Sequence, residues 1–300
     1  MDPTRRAYLE LHIAVFLFGF TAILGELIQL SALVMVWWRV LITSLSLLLI
    51  VRLRSFFASL SALAIRRFAG IGVLVAVHWV AFYGAIKLAN ASIALVAMAT
   101  TSLFTSVIEP IFLRTRVKGY EVFLGLLIIP GMALIVHNID LSLLAGLWTG
   151  LFAALLAALF ATLNKMWIRG ADEKGVTLLE LGSAWLFLCL VLPVVMLTQD
   201  EPPAFWPPSP LDWLYLLLLA LLCTTLAYVL ALRSLRYLSA FASNLSVNME
   251  PVYGIILAWI ILDNHKDLSP GFYWGVVVIL VSVFSYPVMR RVFRDRVPAK

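Results

Sequence analysis

Residues 243–262 read SNLSVNMEPVYGIILAWIIL. A mostly apolar stretch of about 20 residues can cross a bilayer as a helix, yet this one carries Glu250 and Pro251 at its middle. A carboxylate at that depth costs about 3 kcal/mol on insertion scales unless water, a partner or a proton relieves it. The proline leaves the carbonyl of Val247 without a helical donor, which is tolerated beside protein or a wet cavity. We interpret this stretch as the kinked wall of a pathway through the membrane. The alternative is a protonated glutamate bonded to a neighbouring helix.

The composition excludes a soluble protein. The chain has 300 residues, of which 63% are hydrophobic and 13% charged, and its mean hydropathy is +1.02. These values indicate an all-α polytopic membrane protein. The net charge of +6 does not predict a nucleic-acid partner, because the basic residues lie between apolar runs. Cys189 and Cys223 lie inside apolar runs and support neither a disulfide framework nor a metal site, so we expect no metal and no cofactor.

Apolar runs predict ten transmembrane helices. They cover residues 9–28, 32–51, 68–88, 91–113, 120–136, 143–168, 177–198, 211–232, 238–262 and 270–289. Most of the 22 lysines and arginines lie at the termini or in alternate gaps between these runs. By the positive-inside rule, both termini are predicted to be cytoplasmic.

The ten predicted helices divide into two halves, residues 1–142 and 143–300. Residues 87–125 parallel residues 236–275 in pattern. With five helices in each half, the second half must enter the membrane from the opposite side. The sequence therefore predicts two inverted five-helix repeats in one membrane domain, the arrangement from which many secondary transporters build a site at the bilayer midplane.

These features together resemble the drug/metabolite transporter superfamily, specifically its ten-helix EamA-type branch, over essentially the whole chain. The residues that carry the resemblance are VWWR at 36–39, EPVY at 250–253, LAW at 257–259, LD at 262–263, Leu268-Ser269 and Gly275. The sequence departs from the family pattern in residues 99–104, which lack the proline often found in the fourth helix. It departs again at Ser282, where a second glycine is common. The resemblance implies alternating-access export of small metabolites, often amino acids or related compounds. It also implies that the fifth and tenth helices are peripheral and that eight helices surround a central cavity.

Aromatic and titratable residues on the third predicted helix indicate a cavity wall. Trp79, Tyr83 and Lys87 follow one another at four-residue spacing and so share a face. Aromatic side chains at this depth can stack against a substrate, although ordinary helix packing is the alternative. His78 is a candidate proton carrier because histidine changes charge near neutral pH. The alternative is a neutral, hydrogen-bonded histidine.

Arg39 on the second predicted helix can hold a substrate carboxylate with two parallel hydrogen bonds. The alternative is a structural ion pair with Glu26. The complete set of predicted substrate-binding residues is Trp38, Arg39, His78, Trp79, Tyr83, Thr101, Asn248 and Tyr253. The residues predicted to couple or gate transport are Glu250, Pro251 and His78.

Four further features are interpreted in the sequence. Glu109 is interpreted as a helix-end feature, with a role in an inner gate as the alternative. Asn164 lies near the end of its predicted helix and can line a vestibule. Small residues at four-residue spacing along the sixth predicted helix, beginning with Gly146 and Gly150, indicate close helix packing. Gly271 and Gly275 form a GxxxG pattern that predicts a homodimer or scaffold contact.

The leading hypothesis is a secondary transporter of the bacterial inner (plasma) membrane that exports a small organic metabolite, such as an amino acid, by alternating access. Coupling to protons, through protonation of Glu250 or His78, is a secondary hypothesis, and facilitated export or exchange is equally compatible with the sequence. We do not expect an enzyme. A membrane-embedded lipid or prenyl transferase is one alternative, but the sequence contains no Asp-rich metal cluster, nucleophile elbow or phosphate loop. The other alternative is a non-transporting structural membrane protein. In such a protein, burying Arg39, His78 and Glu250 in the membrane would cost free energy without serving a function.

Overall fold

The computed structural model describes residues 2–135, 144–250, 252–253 and 270–294, and all regular structure in these ranges is helical. The helices are α1 (Pro3–Leu27), α2 (Ala32–Leu48), α3 (Leu53–Ala58), α4 (Ala62–Leu88), α5 (Ala91–Ala99), α6 (Thr101–Leu113), α7 (Gly119–Ile135), α8 (Leu144–Trp167), α9 (Glu173–Thr198), α10 (Pro210–Ala220), α11 (Ala227–Ser234), α12 (Ala240–Val247) and α13 (Pro270–Arg294). A π-helical turn, Leu221–Leu226, joins α10 to α11. The backbone is again helical at Glu250, Val252 and Tyr253.

The helices have the length and composition of a multi-pass membrane protein. Within the described ranges, seven segments are long and apolar enough to cross a bilayer, and two shorter apolar helices accompany them. Large side chains point outward from this bundle, with exposed fractions of 67% for Trp148, 74% for Leu190 and 85% for Leu197. Such an apolar exterior suits a lipid environment. The predicted all-α membrane class is confirmed, whereas the count of ten and the sides of the termini stay predictions.

Polar side chains define where several helices begin. Asn90 Oδ1 accepts a hydrogen bond of 2.9 Å from the backbone amide of Ile93. Asp172 Oδ2 accepts one of 2.8 Å from Gly175. Each cap satisfies one of the amides that the first helical turn leaves without a partner. Because Asp172 caps α9, that helix begins ahead of its predicted start at 177.

Two predicted helices are interrupted. The run 91–113 divides into α5 and α6 at Thr100, whose hydroxyl donates to the carbonyl of Ala97 at 2.7 Å. The run 238–262 is interrupted after Val247, where α12 ends. Pro251, which was predicted to kink this segment, lies outside the described residues.

The two interrupted segments contact each other. Asn244 Nδ2 on α12 donates to Thr105 Oγ1 on α6 at 2.7 Å. Asn248 Nδ2 donates to Ser102 Oγ at 3.2 Å. These amide–hydroxyl bonds satisfy polar groups that are buried between the two helices, where bilayer water is not available to them.

Small residues allow close packing of α8. A Cβ atom placed on Gly150 would lie 2.6 Å from the Cβ of Ala97 on α5, so only glycine fits there without displacement. The predicted small-residue packing of this helix is therefore confirmed. The GxxxG residue Gly275 lies within the chain's own packing, because its carbonyl oxygen would be 3.3 Å from a Cβ on Gly131. That contact joins α13 to α7 and is the predicted scaffold contact, while a homodimer stays a prediction.

Candidate functional site

A cavity of about 140 Å³ lies among α1, α2, α4, α5, α6, α8, α11 and α12. Its polar lining comprises Thr21, Arg39, His78, Thr101, Asn164, Tyr228, Ser243, Asn244 and Glu250. Its apolar lining comprises Leu11, Phe18, Trp79, Phe82, Met98, Ala157, Phe160, Ala161, Ala231, Leu232, Leu235 and Val247. One water needs about 10–15 Å³ on this measure, so the cavity admits several waters or a small organic molecule. Neither α7 nor α13 contributes a described lining residue, in agreement with the peripheral position expected for them.

Arg39 is fixed on the cavity wall by neighbouring side chains. Its Nε donates to Thr224 Oγ1 at 2.6 Å and its Nη1 donates to Tyr83 OH at 2.8 Å. The guanidinium carbon lies 3.9 Å from the ring centroid of Trp79, which is a cation–π geometry. The hydrogen bonds described for this guanidinium use Nε and Nη1, so Nη2 is the nitrogen left for a ligand. Glu26 is exposed and is not a partner of Arg39, so the alternative ion pair is wrong.

The π-helical turn explains how Thr224 reaches Arg39. The hydroxyl of Thr224 donates to the carbonyl of Leu219, five residues earlier, at 2.6 Å. The hydroxyl of Thr225 makes the corresponding bond to Ala220 at 3.0 Å. The π-turn contains one extra residue, and this places the Thr224 hydroxyl oxygen where it accepts the hydrogen bond from the buried arginine. Single π-turns of this kind are frequent at functional sites.

Glu250 lies on the same cavity and contacts α1. Thr21 Oγ1 is 3.2 Å from Glu250 Oε1 and 2.8 Å from the carbonyl oxygen of Phe18. A threonine hydroxyl has one proton, and the carbonyl can only accept it. If both contacts are hydrogen bonds, Glu250 must supply the second proton. The contact with a neighbouring helix is the one that the alternative interpretation expects, while the protonation of Glu250 stays a prediction.

His78 is held by the backbone of α8. Its Nδ1 lies 2.8 Å from the carbonyl oxygen of Ala153, which can only accept, so Nδ1 carries the proton. The imidazole lies between Phe82 and Phe160, with ring centroids 6.4 and 5.2 Å away. This is the hydrogen-bonded histidine of the alternative interpretation. Its role as a proton carrier stays a prediction.

The structure brings together five of the predicted site residues. Arg39, His78, Trp79, Thr101 and Glu250 all line the cavity. They come from three helices (α2, α4 and α6) and the segment after α12, so neither spacing nor periodicity along the chain could have shown that they converge.

The other predicted site residues lie away from the described cavity lining. Tyr83 is fully buried behind Arg39. Trp38 belongs to an aromatic cluster and donates from Nε1 to the carbonyl of Phe205 at 2.9 Å. Asn248 bonds α6 as described above, and Tyr253 OH lies 3.3 Å from His12 Nδ1. These four have structural partners, and a substrate contact for them stays a prediction.

Glu180 on α9 was not among the predicted site residues. This side chain is 0% exposed, and its Oε2 accepts hydrogen bonds from Tyr228 OH at 2.7 Å and Asn164 Nδ2 at 3.4 Å. Both partners line the cavity, so the carboxyl lies directly behind the wall. An acid within an apolar run was the available signal, the same one that drew attention to Glu250.

Ion pairs join three helices beside one end of the cavity. Glu173 accepts from Arg233 at 2.7 Å and from Arg236 at 2.6 Å, and Arg233 also contacts Glu10 at 3.4 Å. The lining residues Leu11, Leu232 and Leu235 neighbour these charges along the chain. Lys165 Nζ donates to the Leu235 carbonyl at 2.7 Å. The three helices are thus tied together beside the leucine-lined part of the cavity.

Glu109 fastens α6 to the start of α12. Its two carboxylate oxygens accept hydrogen bonds from the backbone amides of Ala240 at 3.0 Å and Phe241 at 2.8 Å. A carboxylate at a helix N-terminus is favourable because the free amides carry partial positive charge. The interpretation of Glu109 as a helix-end feature is confirmed, although Glu109 caps the start of α12 and not the end of its own helix, α6.

Comparison with known proteins gives one family and one fold. The model of the EamA-like transporter family matches residues 5–137 and 144–286, which are two repeats covering most of the chain. A solved structure described only as a crystal structure of a protein has a TM-score of 0.72 and 14% sequence identity, over 95% of this chain and 97% of that one. At that identity the likeness shows the fold alone. No curated protein matches the chain.

Proposed function

Because this chain belongs to the EamA-like transporter family, we propose that it exports a small zwitterionic metabolite, such as an amino acid, by alternating access in a bacterial inner membrane. One observation carries this proposal. Arg39 and Glu250 line the same cavity, and no ion pair joins them within the described part of the chain. A buried cation and a carboxyl that attract each other but form no contact ion pair leave room between them for a ligand bearing both charges.

The cavity offers complementary partners for such a ligand. A substrate carboxylate would bind the free edge of the Arg39 guanidinium, for which planar carboxylates are geometrically matched. The substrate ammonium would bind Glu250. Trp79, Phe82 and Phe160 form an apolar wall for the remaining side chain. A small number of polar groups on an apolar wall is the usual composition of a small-molecule site.

The same geometry would also suit proton coupling. As a neutral acid Glu250 would donate to Thr21, whose hydroxyl lies 3.2 Å away, whereas an ammonium group would bind the carboxylate. Substrate and proton would then compete for one group, so that release of one accompanies binding of the other. Such competition would make the transporter a proton exchanger.

We also propose that the cavity lies between two inverted five-helix repeats, residues 1–142 and 143–300, with both termini cytoplasmic. The two matched segments of the family model support a division close to residue 142. The basic residues at the termini and in alternate loops support the orientation. Proteins of this family are transporters, which favours transport over the transferase alternative.

The direct test is ligand binding followed by transport. The purified protein is screened against amino acids by thermal shift, since a ligand at 100 times its Kd stabilises the native state by about 2.7 kcal/mol. A stabilising amino acid is then loaded into proteoliposomes and its efflux is measured. Efflux that saturates, and that an inward proton gradient accelerates, is the expected result. Absence of both stabilisation and efflux for every amino acid would contradict the proposed substrate class.

The first prediction concerns the proposed coupling residue. Glu250→Gln keeps the size and hydrogen-bonding capacity of the neutral acid but cannot ionise. We expect the variant to fold with unchanged thermal stability and to lose acceleration of efflux by a proton gradient. Glu26→Gln is the matched control, because Glu26 is an exposed carboxylate of α1. Gradient-driven efflux that survives in Glu250→Gln would refute the assignment.

A further inference from the structure

Glu180 forms a second buried acid site behind the cavity. Its Oε1 and the Oδ1 of Asn164 are both buried oxygen atoms without a hydrogen-bond partner. The same two side chains are joined through Asn164 Nδ2 and Glu180 Oε2. Each of these two neighbouring side chains therefore has one buried oxygen that accepts no hydrogen bond, whereas buried acceptors normally have a donor. A proton on Glu180 Oε1 would supply that donor.

The surroundings of Glu180 favour the neutral acid. The side chain is 0% exposed and belongs to a segment long and apolar enough to span a bilayer. Its described partners are neutral, the phenol of Tyr228 on α11 and the amide of Asn164 on α8.

On α4, Gly72 approaches the backbone carbonyl of Glu180 and presents no side chain. On α9 itself, Glu173 lies about two turns away and is paired with Arg233 and Arg236. No described cation contacts the Glu180 carboxyl, so its ionised form would be uncompensated.

The partners of Glu180 connect it to the cavity. Tyr228 and Asn164 each bond the carboxyl and also line the cavity. The Tyr228 ring further packs edge-on against Trp79, with centroids 6.0 Å apart, and Trp79 lies under Arg39. A ligand that displaces Trp79 or Asn164 would therefore disturb the hydrogen bonds of the buried acid.

We propose that Glu180, Asn164 and Tyr228 form a second proton-binding site, distinct from Glu250, which holds a proton in the conformation described and exchanges it with water in the cavity during transport. The O–H bond of Glu180 breaks when the proton passes to a cavity water, and reforms when a hydronium ion returns it. Only the role in transport rests on the function proposed above. The protonation itself is a property of the empty protein.

Infrared spectroscopy of the full-length protein tests the protonation without any substrate. A protonated carboxyl has a C=O stretching band that a carboxylate lacks. At neutral pH the wild-type protein is expected to show this band, with part of its intensity lost in Glu180→Gln and a separate part lost in Glu250→Gln. A Glu180→Gln spectrum identical to that of the wild type in this band would overturn the proposal.

Tyr228→Phe keeps the proposal testable if Glu180→Gln does not fold. Removing the phenol takes away the donor to Oε2, so the band is expected to shift in frequency while its intensity remains. An unshifted band would show that the protonated group lies elsewhere. In vesicles that export an amino acid identified by the screen, Glu180→Gln is expected to keep exchange but lose part of the proton dependence. If no amino acid passes the screen, the transport proposal fails while the infrared result still decides the site.

Discussion

At the scale of single residues, the structure is governed by how buried polar groups are satisfied. Arg39 is only 2% exposed, and in place of water its guanidinium has two hydrogen-bond acceptors and an aromatic ring as neighbours. Hydrogen bonds to a charged group are worth about 1.5–3 kcal/mol each when they cannot be replaced by water. Tyr83 and Thr224 therefore act as supports that hold the arginine with one edge open to the cavity.

The second prediction separates support from binding. Tyr83→Phe removes the hydrogen bond to Nη1 and leaves the packing of the ring intact. We expect a loss of about 1.5–3 kcal/mol in stability, measured by chemical or thermal unfolding, together with weaker substrate binding. Arg39→Lys keeps the positive charge but not the planar fork, so it should lose more binding than Tyr83→Phe does. Equal binding by all three proteins would show that Arg39 does not contact the substrate.

The sequence was informative about residues that break the apolar pattern. Arg39, His78 and Glu250 stand out because charged or titratable groups are costly inside a membrane, and all three line the cavity. Glu180 was missed because it lies close to the predicted start of its helix at 177, where an acid is expected to face water. The Asp172 cap places that start earlier in the chain and so places Glu180 inside the bundle.

At the scale of helices, the close approaches depend on small residues. On α4, a Cβ at Gly72 would collide with the backbone carbonyl of Glu180, whereas a Cβ at Gly70 would meet nothing within 4 Å. The two glycines belong to the same helix and differ in what they face. This makes them a matched pair for measuring the α4–α9 contact.

The third prediction uses this pair. Gly72→Ala should destabilise the protein by about 1–3 kcal/mol, because the helices must separate to admit the methyl group. Gly70→Ala should be neutral or slightly stabilising, since alanine favours the helix over glycine. Thermal unfolding in detergent compares the two variants directly. Equal effects would mean that α4 and α9 are not in close contact.

The fourth prediction concerns the connection between α6 and α12. Glu109→Ala removes the acceptor for two backbone amides at the start of α12. We expect a loss of about 1–3 kcal/mol, because these buried donors would then be unpaired. Glu201→Ala, in an exposed loop position, should change stability little. A Glu109→Ala variant as stable as the wild type would argue against this cap.

The predicted apolar runs overlap the helices, but α1 and α4 begin six residues and α9 four residues earlier than predicted, and neither the break at Thr100 nor the π-turn was predicted. Apolar length locates a membrane segment and is insensitive to local backbone geometry. The breaks at Thr100 and after Val247 depend on hydroxyl and amide bonds between α6 and α12, which are visible only once the helices are packed. The π-turn likewise depends on Thr224 and Thr225, two residues that an ordinary helix also tolerates.

At the scale of the whole molecule, the proposed alternating access requires a cavity that opens to each side of the membrane in turn. The two matched repeats indicate that the architecture is duplicated. The cavity draws residues from both halves of the chain, with Arg39 and His78 in the first half and Asn164 and Glu250 in the second. Relative movement of the halves would therefore change both access to the cavity and the spacing of its polar groups.

Cysteine labelling tests this claim most directly. Ser243→Cys and Ala161→Cys place thiols on the cavity lining, in a background where Cys189 and Cys223 are replaced. Leu190→Cys on the apolar exterior is the control, since a water-soluble reagent should not reach it. We predict that a membrane-impermeant thiol reagent modifies both cavity positions, and that a stabilising amino acid alters the rate from each side of the vesicle in opposite directions. Labelling that is equally absent from both sides, with and without ligand, would contradict the account.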